Sequence, residues 1–256
     1  MTTNTPLLEA REVTKRFGAV DALRGASFQI FPGEVVALMG DNGAGKSTLI
    51  KTMCGVYAPD GGDVLFEGRS VAGRSPKEIQ ALGIETVYQD LALAPELDTP
   101  GNLFLGREQL MPGILGFFGV LAKSAMRQRA STVLTELSVK IKDIKAPVNT
   151  LSGGQQQSVA VARAVTWADK LVIMDEPTAA LGVPQTQAVL ALIRTVKESG
   201  RSVILISHSL PDVMQVADRI EVLRLGRRVA QLTAAEATEE QIVGAMTGAW
   251  TQEAAA

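Results

Sequence analysis

The 256-residue chain predicts an α/β fold: a core sheet of buried strands, an antiparallel β layer at its edge and an inserted helical subdomain. Three observations point there. The runs within 34–39, 171–174 and 201–207 are short and largely apolar, the pattern of strands covered on both faces. The first enters a glycine-rich turn, and the others end at acids or at a lone histidine. Ligands of open α/β sheets sit at such C-terminal strand ends. Between these runs, Gln89 to about Thr150 reads as mainly helical by composition. The length suits one domain with a substantial core, divided into 1–88 plus 156–256 and a helical part, 89–155.

The elements follow in chain order. The first six residues lack a basic patch and an apolar core, so no signal peptide is expected there. Leu7 to Ile30 alternates loosely and should form strands of the antiparallel layer, with Phe17 in the turn between them. Two readings of Phe17 stand open, a core aromatic and a contact for a ligand. Glu34–Met39 then leads into Gly40, Asp41, Asn42, Gly43, Ala44, Gly45, Lys46 and Ser47, a G-x-x-x-x-G-K-S loop. A helix from Lys46 through Thr48 to Cys54 follows, and Gly55 can end it. Glycines let the backbone approach phosphates closely, and the helix N-terminus adds partial positive charge. Lys46 would reach the β- and γ-phosphates and the Ser47 hydroxyl would bind Mg²⁺.

Asp63–Glu67 should return to the antiparallel layer. Ser75-Pro76-Lys77-Glu78 is a capping box with proline at the first helical position, and Gly83 closes that helix. Leu110–Leu121 is an apolar stretch of 12 residues, too short for a span of about 20. It is either packed within the domain or an exposed patch covered by a membrane partner. Ser152, Gly153, Gly154 and Gln155 open a long helix through Val165, aiming backbone donors at an anion. Asp175 and Glu176 emerge from the 171–174 strand. Asp175 would hold Mg²⁺ through its water shell, and Glu176 would orient or deprotonate the attacking water. Arg201–Ser207 delivers His208 to the same sheet edge. The tail, 252–256, should be frayed.

Taken together, these motifs resemble the ATP-binding-cassette family over nearly the whole chain. The resemblance makes Phe17 the aromatic that stacks on adenine and Gly40–Ser47 the Walker A loop. Gln89 matches the Q-loop glutamine, which also approaches the metal, and Leu151–Gln155 the signature sequence. Asp175 and Glu176 match the Walker B pair, and His208 the switch histidine. The phrasing of 83–93, 102–108 and 174–183 is similar to single-cassette ATPases of bacterial monosaccharide importers of the fructose and ribose type.

What this implies is a RecA-like P-loop NTPase core that hydrolyses ATP with Mg²⁺ in a head-to-tail dimer. Lys46, Glu176 and His208 form the catalytic set. Two transmembrane permease subunits and an extracytoplasmic sugar-binding protein complete the complex, with this chain peripheral on the cytoplasmic face of the bacterial inner membrane. One departure stands out. The segment after Glu176 ends in Gly182, where the family usually has an aspartate.

Composition agrees. With 25 basic and 27 acidic side chains, net charge is −2, which gives no global footprint for nucleic acid. The single cysteine, Cys54, cannot form an internal disulfide, suits a reducing compartment, and reads as a small buried hydrophobe. Two other functions remain open: a soluble cassette ATPase acting on DNA or ribosomes, and a nonhydrolytic ATP-binding regulator suggested by Gly182.

Overall fold

In the central strands, side chains alternate between two separate hydrophobic cores. In a computed structural model describing residues 5–250, Val35, Ala37 and Met39 point to one core while Val36 and Leu38 point to the other. Val172 and Met174 split from Leu171 and Ile173 in the same way, as do Val203 and Leu205 from Ile204 and Ile206. A strand buried on both faces must be apolar at every position, which is why these runs show no polar alternation.

The chain begins with a hairpin, β1 (Leu8–Phe17) and β2 (Val20–Ile30), followed by β3 (Val35–Met39) and α1 (Lys46–Met53). Next come β4 (Gly61–Phe66), β5 (Arg69–Ser70), α2 (Pro76–Gln80) and β6 (Ile84–Val87). Three helices follow, α3 (Thr99–Leu103), α4 (Ile114–Phe117) and α5 (Lys123–Glu136), then α6 (Gly153–Trp167) and β7 (Leu171–Asp175). The chain returns through α7 (Val183–Glu198), β8 (Ser202–Ile206), α8 (Leu210–Val216), β9 (Arg219–Arg224), β10 (Arg227–Thr233) and α9 (Glu239–Thr247).

Two sheets result. The larger has order β10-β9-β3-β8-β7-β6, parallel from β9 to β6, with β10 antiparallel at its edge. The smaller, β2-β1-β4-β5, is antiparallel throughout and is the predicted edge layer. Helix α1 lies between the two sheets, contributing Leu49, Ile50 and Met53 to their shared core. Polar groups also bind the layers. Glu221 on β9 is almost fully buried; it accepts from Arg219 at 2.7 Å and from the Gln29 backbone of β2 at 3.3 Å. Burial pushes its carboxyl above the ordinary range, and Arg228 and Arg219 oppose that shift. Cys54 is buried against Thr86, and burial pushes its thiol up to about 11, so it is the inert small hydrophobe expected.

The stretch from Gln89 to Thr150 departs from expectation. It is only partly helical: α5 is its one long helix, and loops join the short pieces. Pro95, Pro112 and Pro147 and a series of glycines interrupt the pattern, which bulk composition does not register. Of the two readings of 110–121, packing within the domain does not hold. This segment is a small hairpin closed by a Leu110–Leu121 bridge, and α4 at its tip buries no residue. Phe117 is 86% exposed, and Phe118 and Ile114 are each 73% exposed. The expected fraying of 252–256 lies outside the described residues.

Candidate nucleotide site

Four neighbouring strands build the site. The glycine-rich loop leaves β3, His208 follows β8, Asp175 ends β7 with Glu176 after it, and Gln89 lies just beyond β6. These strands are adjacent and parallel in the order β3-β8-β7-β6, so all four exits share one sheet edge. Sheet order therefore gathers residues far apart in sequence.

The loop conformation demands glycine at two positions. Gly40 has φ 151°, and a Cβ there would lie 2.2 Å from the Leu223 carbonyl. Gly45 has φ 103°, and its Cβ would meet the Ala22 carbonyl at 2.7 Å. Within the loop the Lys46 ammonium donates to the carbonyls of Gly40 at 2.6 Å and Asp41 at 3.1 Å. Burial lowers its pKa, while Glu176, Asp41 and Asp175 pull it back up. A cleft of about 460 Å³ opens over the loop, lined by Asp41 to Thr48 together with Val20, Ala22 and Arg24.

Glu176 holds a left-handed backbone, φ 50°, and its N–H donates to the Ile206 carbonyl at 2.9 Å. Its Oε2 is buried without a hydrogen bond of good geometry, although His208 Nδ1 lies 2.9 Å away. Such an orphaned carboxylate oxygen in a cleft has capacity for a water or a protonated partner. Next to it, burial raises the Asp175 pKa and the Glu176 charge raises it further, against Lys46 and Lys51. A cation beside Asp175 would reverse that penalty. Mg²⁺ needs only one or two protein carboxylates when phosphates and waters complete its shell, so Ser47 and Asp175 fit it.

Phe17 is not a core residue. It is 42% exposed, meets Tyr57 edge-on at 5.1 Å and pairs across the turn with Val20, which lines the loop cleft. Gln89 is exposed. Ser152, Gly154 and Gln155 line a different cleft, with Val139, Pro184 and Gln185. The structure therefore brings Lys46, Ser47, Asp175, Glu176 and His208 to one edge and leaves the 152–155 turn apart from it. A third cleft, about 510 Å³ and the largest of these, lies between Glu96, Asp98 and Glu108 and the bases Lys123, Arg127 and Lys145. It contains no loop residue and is not the phosphate site.

One feature of the 152–155 turn escaped sequence reasoning. Ser152 accepts from the Gln155 N–H at 3.4 Å, and Gln155 Oε1 accepts from the Ser152 N–H at 3.0 Å, a reciprocal cap. The spacing Ser-x-x-Gln is its sequence signal. Gly182, the family departure, has φ −73°, ordinary extended backbone, and starts α7 without a side-chain cap. Asn102 and Arg163 carried no signal, because both act on backbone carbonyls brought near by folding.

A glycine-rich phosphate loop, an acid pair and a histidine on one parallel edge, backed by an antiparallel layer, define a P-loop ATPase cassette. The family described as ABC transporter matches residues 23–179. The fructose import ATP-binding protein FrcA of Rhizobium meliloti is 50% identical over 246 residues, covering 95% of both chains. The xylose/arabinose import ATP-binding protein XylG of Sulfolobus acidocaldarius is 48% identical, covering 94% of both. A ribose import ATP-binding protein of Rubrobacter xylanophilus is 42% identical, and the match spans 47% of its length. A solved ATP-binding cassette of an ABC transporter superposes with a TM-score of 0.82 at 26% identity, covering 95% of this chain and 98% of that one. The chain belongs to the ABC transporter family, as one of its ATP-binding cassette ATPases.

Proposed function

We propose that this chain is the ATP-hydrolysing subunit of a monosaccharide importer. The observation that carries the reading is the convergence of four motifs on adjacent strand ends; the sugar class comes from likeness to the fructose, xylose/arabinose and ribose relatives. Lys46 and the 40–48 backbone bind the phosphates, and Phe17 stacks on the adenine. Ser47 and Asp175, with Gln89 as a third candidate, would hold Mg²⁺, which would neutralise charge developing on the phosphates. Glu176 holds the attacking water and takes its proton, and His208, 2.9 Å away, steadies that carboxylate.

Because Ser152–Gln155 sit apart from the loop cleft, a second copy completes each site head to tail. ATP then joins two chains, and hydrolysis releases them. Closure needs tighter ATP binding in the closed state. The 89–155 part forms the helical subdomain, and 1–88 with 156–256 forms the core. Two transmembrane permease subunits, with an extracytoplasmic sugar-binding protein above them, place the chain on the cytoplasmic face of the membrane. Among the described residues no helix is long and apolar enough to cross a membrane.

The hairpin tip at Ile114, Phe117 and Phe118 is offered to those permeases. Phe117→Ser with Phe118→Ser should weaken co-purification with the permeases without lowering the melting temperature, because neither side chain is buried. The central test is Lys46→Ala. It removes the ammonium from the phosphate loop, so ATP binding and transport should both be lost. Wild-type hydrolysis in that variant defeats the reading.

A further inference from the structure

Helix α6 begins at the Ser152–Gln155 turn and, eleven residues past Ser152, carries Arg163. That separation is about 16 Å along the axis. The Arg163 guanidinium forms no salt bridge with a carboxylate among the described residues, although Glu85 and Asp90 act on its charge. It donates to two backbone carbonyls, Ala92 at 2.6 Å and Leu91 at 2.9 Å. A planar fork suits two neighbouring acceptors in a way an ammonium does not.

The acceptors are unusual. Leu91 and Ala92 both have left-handed backbone, φ 57° and 45°, costly for residues with side chains. The kink begins two residues after Gln89 and is closed by bonds from Leu91 N to the Tyr88 carbonyl and from Ala92 N to the Asp90 carbonyl. Of the two acids whose charge acts on Arg163, Glu85 and Asp90, Glu85 is already bonded to Arg107 at 2.6 Å, and the fork goes to the carbonyls. Downstream, fully buried Asn102 holds the next part of the loop. Its side chain accepts from Ala94 N at 2.7 Å and donates to the carbonyls of Ala94, Leu97 and Asp98. Arg163 thus grips the strained kink and ties it to α6, while Asn102 fixes the loop just beyond it.

We propose that Arg163 is a positioning residue that locks the loop after Gln89 to α6, so that Gln89 and the Ser152–Gln155 turn move as one piece. The inference rests on the roles assigned above to Gln89 and to that turn. Nucleotide state at the chain's own phosphate loop, sensed at Gln89, then reaches the turn that serves the partner's site. Gly182 offers no carboxylate for such communication, which leaves the Arg163 clamp as an internal route.

The test is a double-mutant comparison of ATP turnover in the assembled transporter, with Gln89→Ala made alone and in Arg163→Lys and Arg163→Gln backgrounds. Lysine keeps the charge and loses the fork. If the clamp works through the Gln89 loop, Gln89→Ala should lower turnover roughly tenfold in the parent and less than about twofold once Arg163 is replaced. The Hill coefficient for ATP should also fall toward about 1 in the Arg163 variants. ATP affinity of the isolated chain should stay unchanged, because Arg163 does not line the loop cleft. Losses that multiply independently, with the parent's Hill coefficient, overturn the proposal and leave Arg163 as scaffold. Should Arg163→Gln fail to fold, Arg163→Lys decides alone. Retained ATP binding in Lys46→Ala would instead defeat the site assignment, whatever Arg163 does.

Discussion

The parallel core and the 89–150 segment solve the same problem, holding a functional group still, by different means. In the core, β3, β7 and β8 are buried on both faces, and their ends carry Lys46, Glu176 and His208. Apolar packing fixes the strands, and the functional residues inherit that rigidity. In 89–150, α3 and α5 add Leu103, Met126, Ala130, Val133 and Leu134 to that same core, but loops join the helices. The 91–98 loop between β6 and α3 is held instead by single side chains that grip backbone carbonyls, chiefly Asn102 and Arg163. Chemistry is thus placed on the stiff part. If the segment meets the permeases as proposed, a loop held by a few replaceable bonds beside that core suits a part that would shift during closure.

The comparison predicts that changing a core strand-end residue alters rate and leaves the fold intact. Glu176→Gln keeps the shape of the side chain and removes the base. Turnover should fall by about 10²–10⁴ while ATP binding persists, and ATP-dependent dimers should accumulate on a sizing column. A parent-like rate would show that the strand edge is not where the water is activated.

Asn102→Ala tests the other half. It strands four hydrogen bonds of the 94–98 loop in a buried setting. A loss of about 3 kcal/mol is expected, read by denaturant unfolding, with hydrogen exchange rising first in 89–103. Uniform destabilisation across the core strands would mean that the two regions do not differ as described.

Phe17→Ala sharpens the account of the edge layer. Its ring is exposed and edge-on to Tyr57, so folding should be little affected. Nucleotide affinity should weaken by about 1–3 kcal/mol, as for other aromatic–base stacks, with little change in maximal rate. An unchanged dissociation constant would reduce Phe17 to a partner of Tyr57.

The smallest effect is expected at Gly182→Asp. Since φ is −73°, aspartate meets no backbone strain, and the position starts α7 uncapped. Its nearest obstacle is the flexible Gln185 side chain, whose Oε1 would lie 2.8 Å from the new Cβ. Aspartate should cap α7 and raise stability by a few tenths of a kcal/mol, measured as a small rise in melting temperature. A shift in the Hill coefficient for ATP would show that the missing carboxylate also affects coupling. Neither change would make the position silent.

Much of the site was legible because its signals are local. A phosphate loop between a strand and a helix and an acid pair after an apolar run each need only a few consecutive residues. Strand type was legible for the same reason, since burial on both faces removes polar alternation from β3, β7 and β8. The sequence overestimated how much of 89–150 is helix, because composition averages over the prolines and glycines that end helices. The exposure of Phe117 and Phe118 could not be read either, because an apolar run looks alike whether it is covered or not.

By itself, then, the sequence determined the elements and the chemistry they carry, since propensity, capping and loop conformation act over a few residues. Only the tertiary structure decided which strand ends became neighbours. Strand order β3-β8-β7-β6 joins residues 40–48, 89, 175–176 and 208 across long separations. It also decided that Arg163 would grip two carbonyls more than seventy residues away. Backbone carbonyls are the same at every position, so no residue type marks which of them folding will bring within reach.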